Sequence, residues 1–224
     1  MAVQYTAALG SNQAMRREIR SQISTPARES LNAKMSWQKL MLILAANFDP
    51  KDLVVTLTYR DGDLPHTRED ADKRLSSFIR ALRTKRREEG KDLVYARVTE
   101  GYHGDGRLHH HIVINSTGDD YSSIRKLWGK DGDNVAFDVF GLDGPERWAK
   151  YLTKEPREKG RRYVGDRTWR TSVHMKKPLV EYEFVSLDAP LTAPPGAMVL
   201  DKTECVNSYG RFCYISARLP ETEN

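Results

Sequence analysis

The sequence predicts an α+β domain built on a central antiparallel sheet, and three observations carry that expectation. Short β-branched runs alternate irregularly with helical segments instead of following a strict strand–helix–strand order. Two of those runs, 93–100 and 108–115, are joined by only seven residues, three of them glycine, which reads as a hairpin. The 224 residues are 39% hydrophobic, enough to fill one good core.

Taken in order, residues 12–47 carry helical spacing in two segments separated by Pro26, and the second ends in LMLILAANF. This predicts an N-terminal helical extension packing on the domain. Residues 53–59 (LVVTLTY) are rich in β-branched side chains and stop at the turn signal Arg60-Asp61-Gly62-Asp63, which predicts a strand. Thr67 with Asp70 three residues on caps a helix reaching about Glu89, whose Leu75, Phe78, Ile79 and Leu82 share one face; Gly90 closes it. After the hairpin come a short helix at 121–129, a strand at 135–139, a helix opening near Asp143-Gly144-Pro145 with proline in its first turn, and a strand at 179–185. The helices are expected on one face of the sheet. Beyond Ser186 a proline-rich stretch, 189–196, leads into a tail, and after Lys177 there are 7 acidic against 3 basic residues. The expected organisation is therefore an N-terminal helical extension over 1–50, the main domain over 51–186, and a linker with tail over 187–224.

The longest apolar run, 40–46, is less than half the roughly 18 residues of a membrane span. The N-terminus lacks a basic stretch followed by an apolar core, so the expected location is the cytoplasm of a bacterial host cell. Cys205 and Cys213 are too few for a disulfide framework or a cysteine zinc site and read as reduced thiols.

The net charge of +5 is modest, but its distribution is not. Between Arg147 and Lys177 lie 11 Lys/Arg and 3 acids, and the remaining chain is slightly acidic. Trp148, Tyr151, Tyr163 and Trp169 are interleaved with those cations. Cations for phosphates and rings for stacking bases are what a groove for single-stranded nucleic acid uses, so Arg161, Arg162, Trp169 and Arg170 are candidate contacts.

The most specific feature is His109-His110-His111-Ile112-Val113-Ile114. Side chains alternate along a strand, so His109 and His111 point together while His110 points oppositely with Ile112 and Ile114. The hairpin brings Glu100, the last residue of the preceding strand, across to meet them. Two imidazoles and a carboxylate form an open site for Mg²⁺ or Mn²⁺ with positions free for a phosphate oxygen. The second feature is Tyr151-Leu152-Thr153-Lys154, on the helix after the capping proline, where residues three apart share a face. A tyrosine hydroxyl beside an ammonium and near a metal-bound phosphate is a candidate nucleophile.

Together these residues resemble the HUH endonucleases, in particular the single-tyrosine rolling-circle replication initiators of small phages and plasmids. The resemblance covers residues 50–185 and three motifs in the family's order: 53–59, the histidine cluster 109–111, and the YxxK of Tyr151 to Lys154. It implies a ferredoxin-like or RRM-like sheet with the histidine strand in the middle, and Thr58 and Tyr59 on a strand contacting DNA. It further implies His109, His111 and Glu100 as ligands of a divalent metal, Tyr151 as the nucleophile that forms a 5′-phosphotyrosine link to single-stranded origin DNA, and Lys154 as the neighbouring cation. His110 departs from the family, which usually has a bulky hydrophobe there, and is open to being either a core residue or a spare ligand. Arg147 stands where two-tyrosine members carry their other tyrosine, so a second strand transfer would reuse Tyr151, another protomer or a residue such as Tyr163. No GxxxxGK[ST] occurs among the 224 residues, so the resemblance implies a host helicase and polymerase as partners. A relaxase or single-tyrosine transposase would share the chemistry, and a non-catalytic single-strand-binding module would share the sheet.

Overall fold

The computed structural model describes residues 2–5, 26–101, 107–129, 134–158, 168–181, 183–186, 189–207 and 210–220. In chain order its elements are β1 (Ala2–Tyr5), α1 (Pro26–Asn47), β2 (Leu53–Leu57), a 3₁₀ turn (Asp61–Asp63), α2 (Arg68–Glu88), β3 (Tyr95–Glu100), β4 (His109–Ile114), α3 (Asp120–Trp128), β5 (Val135–Val139), α4 (Gly144–Leu152), α5 (Lys154–Glu158), β6 (Arg170–Thr171), β7 (Met198–Asn207) and β8 (Gly210–Arg218). They divide between two compact units, Ser24–Leu179 and Met1–Ile23 with Val180–Asn224. No helix among the described residues is long and apolar enough to cross a membrane.

The larger unit is α+β, with a five-stranded sheet in the order β5-β2-β4-β3-β6, antiparallel at every pairing and consistent with a ferredoxin-like fold. β4, the histidine strand, is its middle strand. Alternation sorts the side chains into two buried clusters, one on each face. Leu53, Val55 and Leu57 of β2 with Ile112 and Ile114 of β4 pack against Leu75, Phe78, Ile79 and Leu82 of α2 and Ile124 and Trp128 of α3. On the opposite face, Val54, Ala96, Val98 and Val113 meet Trp37, Leu40, Met41 and Leu44 of α1 and Trp148, Ala149 and Leu152 of α4. The expectation of helices on one face is thus corrected. Both sheet faces are apolar in alternate positions, and the stripe of α1 supplies the second cover that one set of helices would leave missing.

Local signals explain the helix ends. Thr67 caps α2, its hydroxyl oxygen accepting from the Asp70 amide at 3.2 Å. At the other end Arg86, 2% exposed, donates to Asp120 Oδ1 at 2.7 Å and to the Asn115 carbonyl at 2.8 Å, tying α2 to the end of β4 and the start of α3. Gly144 opens α4 where a Cβ would lie 2.6 Å from the Phe140 ring, so only glycine fits beneath the proline.

The expected strand at 179–185 is not formed: its described residues adopt no strand, and Leu179, Val180, Phe184 and Val185 are exposed. The sheet edge is taken by the two-residue β6, with Ala96 opposite Thr171 and Arg97 opposite Arg170. In the smaller unit, β1, β8 and β7 form a three-stranded antiparallel sheet with β8 in the middle. Cys213, a free thiol, is buried there with Tyr214 and Ile215.

Candidate metal centre and tyrosine site

β3 and β4 place Glu100 directly opposite His109, and alternation puts His111 on the same face two residues on. Gly101 makes the close approach at the base of this hairpin possible. Its φ is +93°, and a Cβ there would lie 2.6 Å from the Arg107 carbonyl oxygen. Glu155 of α5 accepts the Gly101 amide at 3.2 Å, pinning the residue next to Glu100.

The resulting cluster is tight. One ligand atom from each of Glu100, His109 and His111 lies within 4.8 Å of the others. Glu100 Oε2 is 3.3 Å from His109 Nε2, 3.6 Å from His111 Nε2 and 3.4 Å from Lys154 Nζ. Burial alone would raise the Glu100 carboxyl, but hydrogen bonds from His109 and His111 and the Lys154 charge hold it down at about 2. The bond to Glu100 raises His109 against the effect of burial. Burial dominates at His111 and lowers it. Lys154 is raised: burial works against its charge, and the Glu100 carboxylate outweighs that.

Among the described residues, two buried polar atoms of this cluster, Glu100 Oε1 and His111 Nε2, have no hydrogen-bond partner. Buried acceptors left unsatisfied are costly, and here both belong to a carboxylate–imidazole set of the type divalent cations take. The residues present therefore fit a divalent metal site. The identity of the metal is not encoded in this donor set, since Mg²⁺ and Mn²⁺ both accept nitrogen and oxygen ligands.

His110 lies on the other face. It is fully buried, hydrogen-bonded to the Tyr59 hydroxyl through Nε2 and to Thr99 Oγ1 at 2.8 Å through Nδ1, and edge-on to Trp128. Burial, with the Arg97 charge second, lowers its pKa to about 3, so the ring is neutral. The alternative of a spare ligand is closed by this orientation.

Tyr151 comes to the cluster from above. Trp148, one turn earlier on α4, is buried and donates to the Phe140 carbonyl at 2.9 Å, which fixes the helix against the sheet. Lys150 caps the Trp37 ring of α1 at 5.2 Å. Tyr151 itself stays 38% exposed, its ring 5.0 Å from that of His111 and edge-on to it. Lys154 Nζ sits 4.1 Å from the Tyr151 ring centroid. Tyr151 and Lys154 were expected on one continuous helix, and the structure breaks it between them. α4 ends at Leu152, Thr153 turns its hydroxyl back to the Ala149 carbonyl at 2.7 Å, and α5 begins at Lys154. Pro156 has no N–H to offer the Leu152 carbonyl, so α4 cannot run on through it.

Residues 52–156 match the family model of the replication-associated protein ORF2. The match spans a little under half of the 224 residues and takes in Glu100, His109, His111, Tyr151 and Lys154. No curated protein and no solved structure matches the chain. The family match supports a replication-associated role that involves DNA, of the kind a replication initiator has.

The other residues singled out from sequence lie apart from this cluster. Thr58 donates to the Asn134 carbonyl at 3.2 Å. Tyr59 is 3% exposed, with its ring spent on His110 and Trp128 in the core, so it offers no face to a nucleic acid. Trp169 is half-buried and donates to Ser36 Oγ at 3.0 Å, tying the segment to α1. Arg170 is exposed and lies 3.7 Å from Asp72. Arg161, Arg162 and Tyr163 fall outside the described residues, as does the tip of the hairpin, 102–106. Sequence reading missed Thr56, whose hydroxyl meets His111 Nδ1 at 3.0 Å, and Glu155. Thr56 had a signal, being the one polar residue of β2.

Proposed function

We propose that the chain initiates rolling-circle replication as an HUH-type endonuclease, nicking and rejoining single-stranded origin DNA through a 5′-phosphotyrosine. One observation carries this reading: an exposed tyrosine packs on a histidine of a buried Glu-His-His set, with a lysine between tyrosine and carboxylate. The match to replication-associated proteins over the same residues supports it.

Glu100, His109 and His111 would hold the divalent cation, Mg²⁺ or Mn²⁺, which when bound polarises a non-bridging phosphate oxygen. The Tyr151 oxygen attacks the scissile phosphorus, forming a P–O bond to the ring as the bond to the 3′ oxygen breaks. The phenolic proton leaves to solvent and the departing 3′ oxygen takes one up, so the products are a 5′-phosphotyrosine and a free 3′-OH. One phosphodiester replaces another, so no nucleotide is consumed, and attack by a 3′-OH in the reverse sense rejoins the strand. Lys154 places its charge beside both the tyrosine ring and the phosphate, where negative charge builds. Glu155 and Gly101 hold the carboxylate strand in place while this occurs. Arg161, Arg162 and Arg170 bind the DNA backbone, Trp169 flanks them, and a host helicase and polymerase extend the free 3′ end. Arg147, four residues before Tyr151, lies over Trp148, so closing the circle falls to a second use of Tyr151, to another protomer or to Tyr163.

The test incubates the protein with end-labelled single strands tiling the origin of its replicon, with Mn²⁺, and resolves the products on a denaturing gel. A protein–DNA adduct that is absent in Tyr151→Phe is expected. If no strand yields an adduct, or Tyr151→Phe forms as much, the chain is a binding module and the enzymatic reading fails.

A further inference from the structure

Both imidazoles that face Glu100 have their second ring nitrogen engaged, and the two partners differ in kind. His109 Nδ1 lies 2.8 Å from the Arg107 carbonyl oxygen. A carbonyl only accepts, so Nδ1 carries the hydrogen, and in the neutral ring Nε2 keeps its lone pair toward Glu100. His111 has no backbone partner of this sort. Its Nδ1 meets the Thr56 hydroxyl at 3.0 Å, from the residue directly opposite it on β2.

The surroundings make that hydroxyl unusual. β2 reads Leu53, Val54, Val55, Thr56, Leu57, four buried apolar residues interrupted once, at the position that faces the cluster. His111 is 2% exposed, so water does not replace a lost partner at Nδ1. Turning the ring over about its Cβ–Cγ bond would present carbon atoms both to Thr56 and to Glu100. The hydroxyl therefore distinguishes the orientation that aims Nε2 at Glu100 from the one that aims no ligand at all.

We infer that Thr56 is a positioning residue whose hydroxyl holds His111 with Nε2 toward Glu100 and so sets the affinity of the Glu100, His109 and His111 site for a divalent cation. This rests on the metal site proposed above. Partners of a ligating histidine's second nitrogen typically change metal affinity by about 10- to 100-fold. Here the partner is a side chain on a neighbouring strand, so it can be removed without touching a ligand.

The experiment titrates the full chain with Mn²⁺ and measures the free ion by electron paramagnetic resonance, with thermal unfolding run beside it. Thr56→Val keeps the β-branched shape and removes the hydroxyl, and its Kd for Mn²⁺ is expected to rise about 10-fold or more. Thr56→Ser keeps the hydroxyl and is expected to stay within about threefold of wild type, well short of that loss. Thr56→Ala, with no hydroxyl, should bind as weakly as Thr56→Val and stands in for it if the valine does not fold. Wild-type affinity in the valine or alanine variant overturns the inference, as does serine binding as weakly as valine, which would make the methyl group the active feature. Glu100→Ala separates the two levels. If it abolishes binding while Thr56→Val does not, only the role of Thr56 falls; if it leaves binding intact, the site itself falls and this inference with it.

Discussion

Replacing His110 by leucine separates the two faces of the histidine strand. The ring is fully buried and hydrogen-bonded to Tyr59 and Thr99, on the side of the sheet away from Glu100. Leucine fills much of the same volume but removes both bonds. A buried polar group that loses its partner costs about 1–3 kcal/mol, so two hydroxyls losing His110 place the expected destabilisation at roughly 2–4 kcal/mol. For a unit of this size each kcal/mol moves the melting temperature by about 2–4 °C, so Tm should fall by roughly 5–15 °C. The triple variant Tyr59→Phe, Thr99→Val, His110→Leu should recover most of that loss, because removing all the partners together leaves nothing unsatisfied.

Mn²⁺ affinity is the second readout, and it should not move. His109 and His111 reach Glu100 from the opposite face, and a neutral ring at 110 contributes no charge to them. The assay pairs thermal unfolding with Mn²⁺ titration of the folded protein. A folded His110→Leu protein that no longer binds Mn²⁺ would falsify the division of the three histidines between two faces. A melting temperature unchanged by the substitution would refute the two hydrogen bonds as stabilising contacts.

Three other outcomes follow from the same geometry. Asp120 is lowered: burial would raise it, but the Thr117 amide and the Arg86 charge outweigh that, so the stability it contributes is complete above its unfolded value near 4 and drains away as pH falls through the folded one. Urea midpoints at pH 6 and pH 3 should therefore differ less in Asp120→Asn than in wild type, and an equal difference would remove Asp120 from the acid response. Gly101→Ala meets both a positive φ and the Arg107 carbonyl, so a loss of about 1–2 kcal/mol for the backbone conformation alone is expected, together with weaker Mn²⁺ binding through the displaced Glu100; alanine with unaltered binding would show the hairpin base to be free to shift. Replacing Arg161, Arg162 and Arg170 by alanine should weaken single-strand binding and reduce the slope of log K against log salt by about 0.7 per lost phosphate contact, and an unchanged slope would put the DNA elsewhere.

What could be read from sequence follows the range of the interaction responsible. The hairpin, the capped α2, and the pairing of Glu100 with His109 and His111 depend on alternation and on turns within a dozen residues, and all were legible in the residues themselves. The two-sided cover of the sheet was not, because it depends on α1 meeting α4 from more than a hundred residues away in the chain. The short edge strand β6 was equally hidden. Its two residues carry no periodic signal, whereas the run at 179–185 has the alternation of a strand and no sheet edge to join.

Tyr151 and Lys154 make the same point at the site. Their spacing suggests one helix, and on that reading both would keep their places if the helix were simply extended. The break at Thr153, enforced by Pro156, means instead that each is held by its own element: Tyr151 by the buried Trp148 of α4, Lys154 by α5, whose Glu155 is tied to Gly101. The lysine is thus linked to the carboxylate strand more directly than to the tyrosine helix. A substitution that loosens α5, such as Glu155→Ala, should therefore disturb the Lys154 to Glu100 contact while leaving the Tyr151 ring against His111. In cleavage assays that appears as slowed adduct formation with unchanged strand binding, and equal losses in both would mean that the two residues move as one.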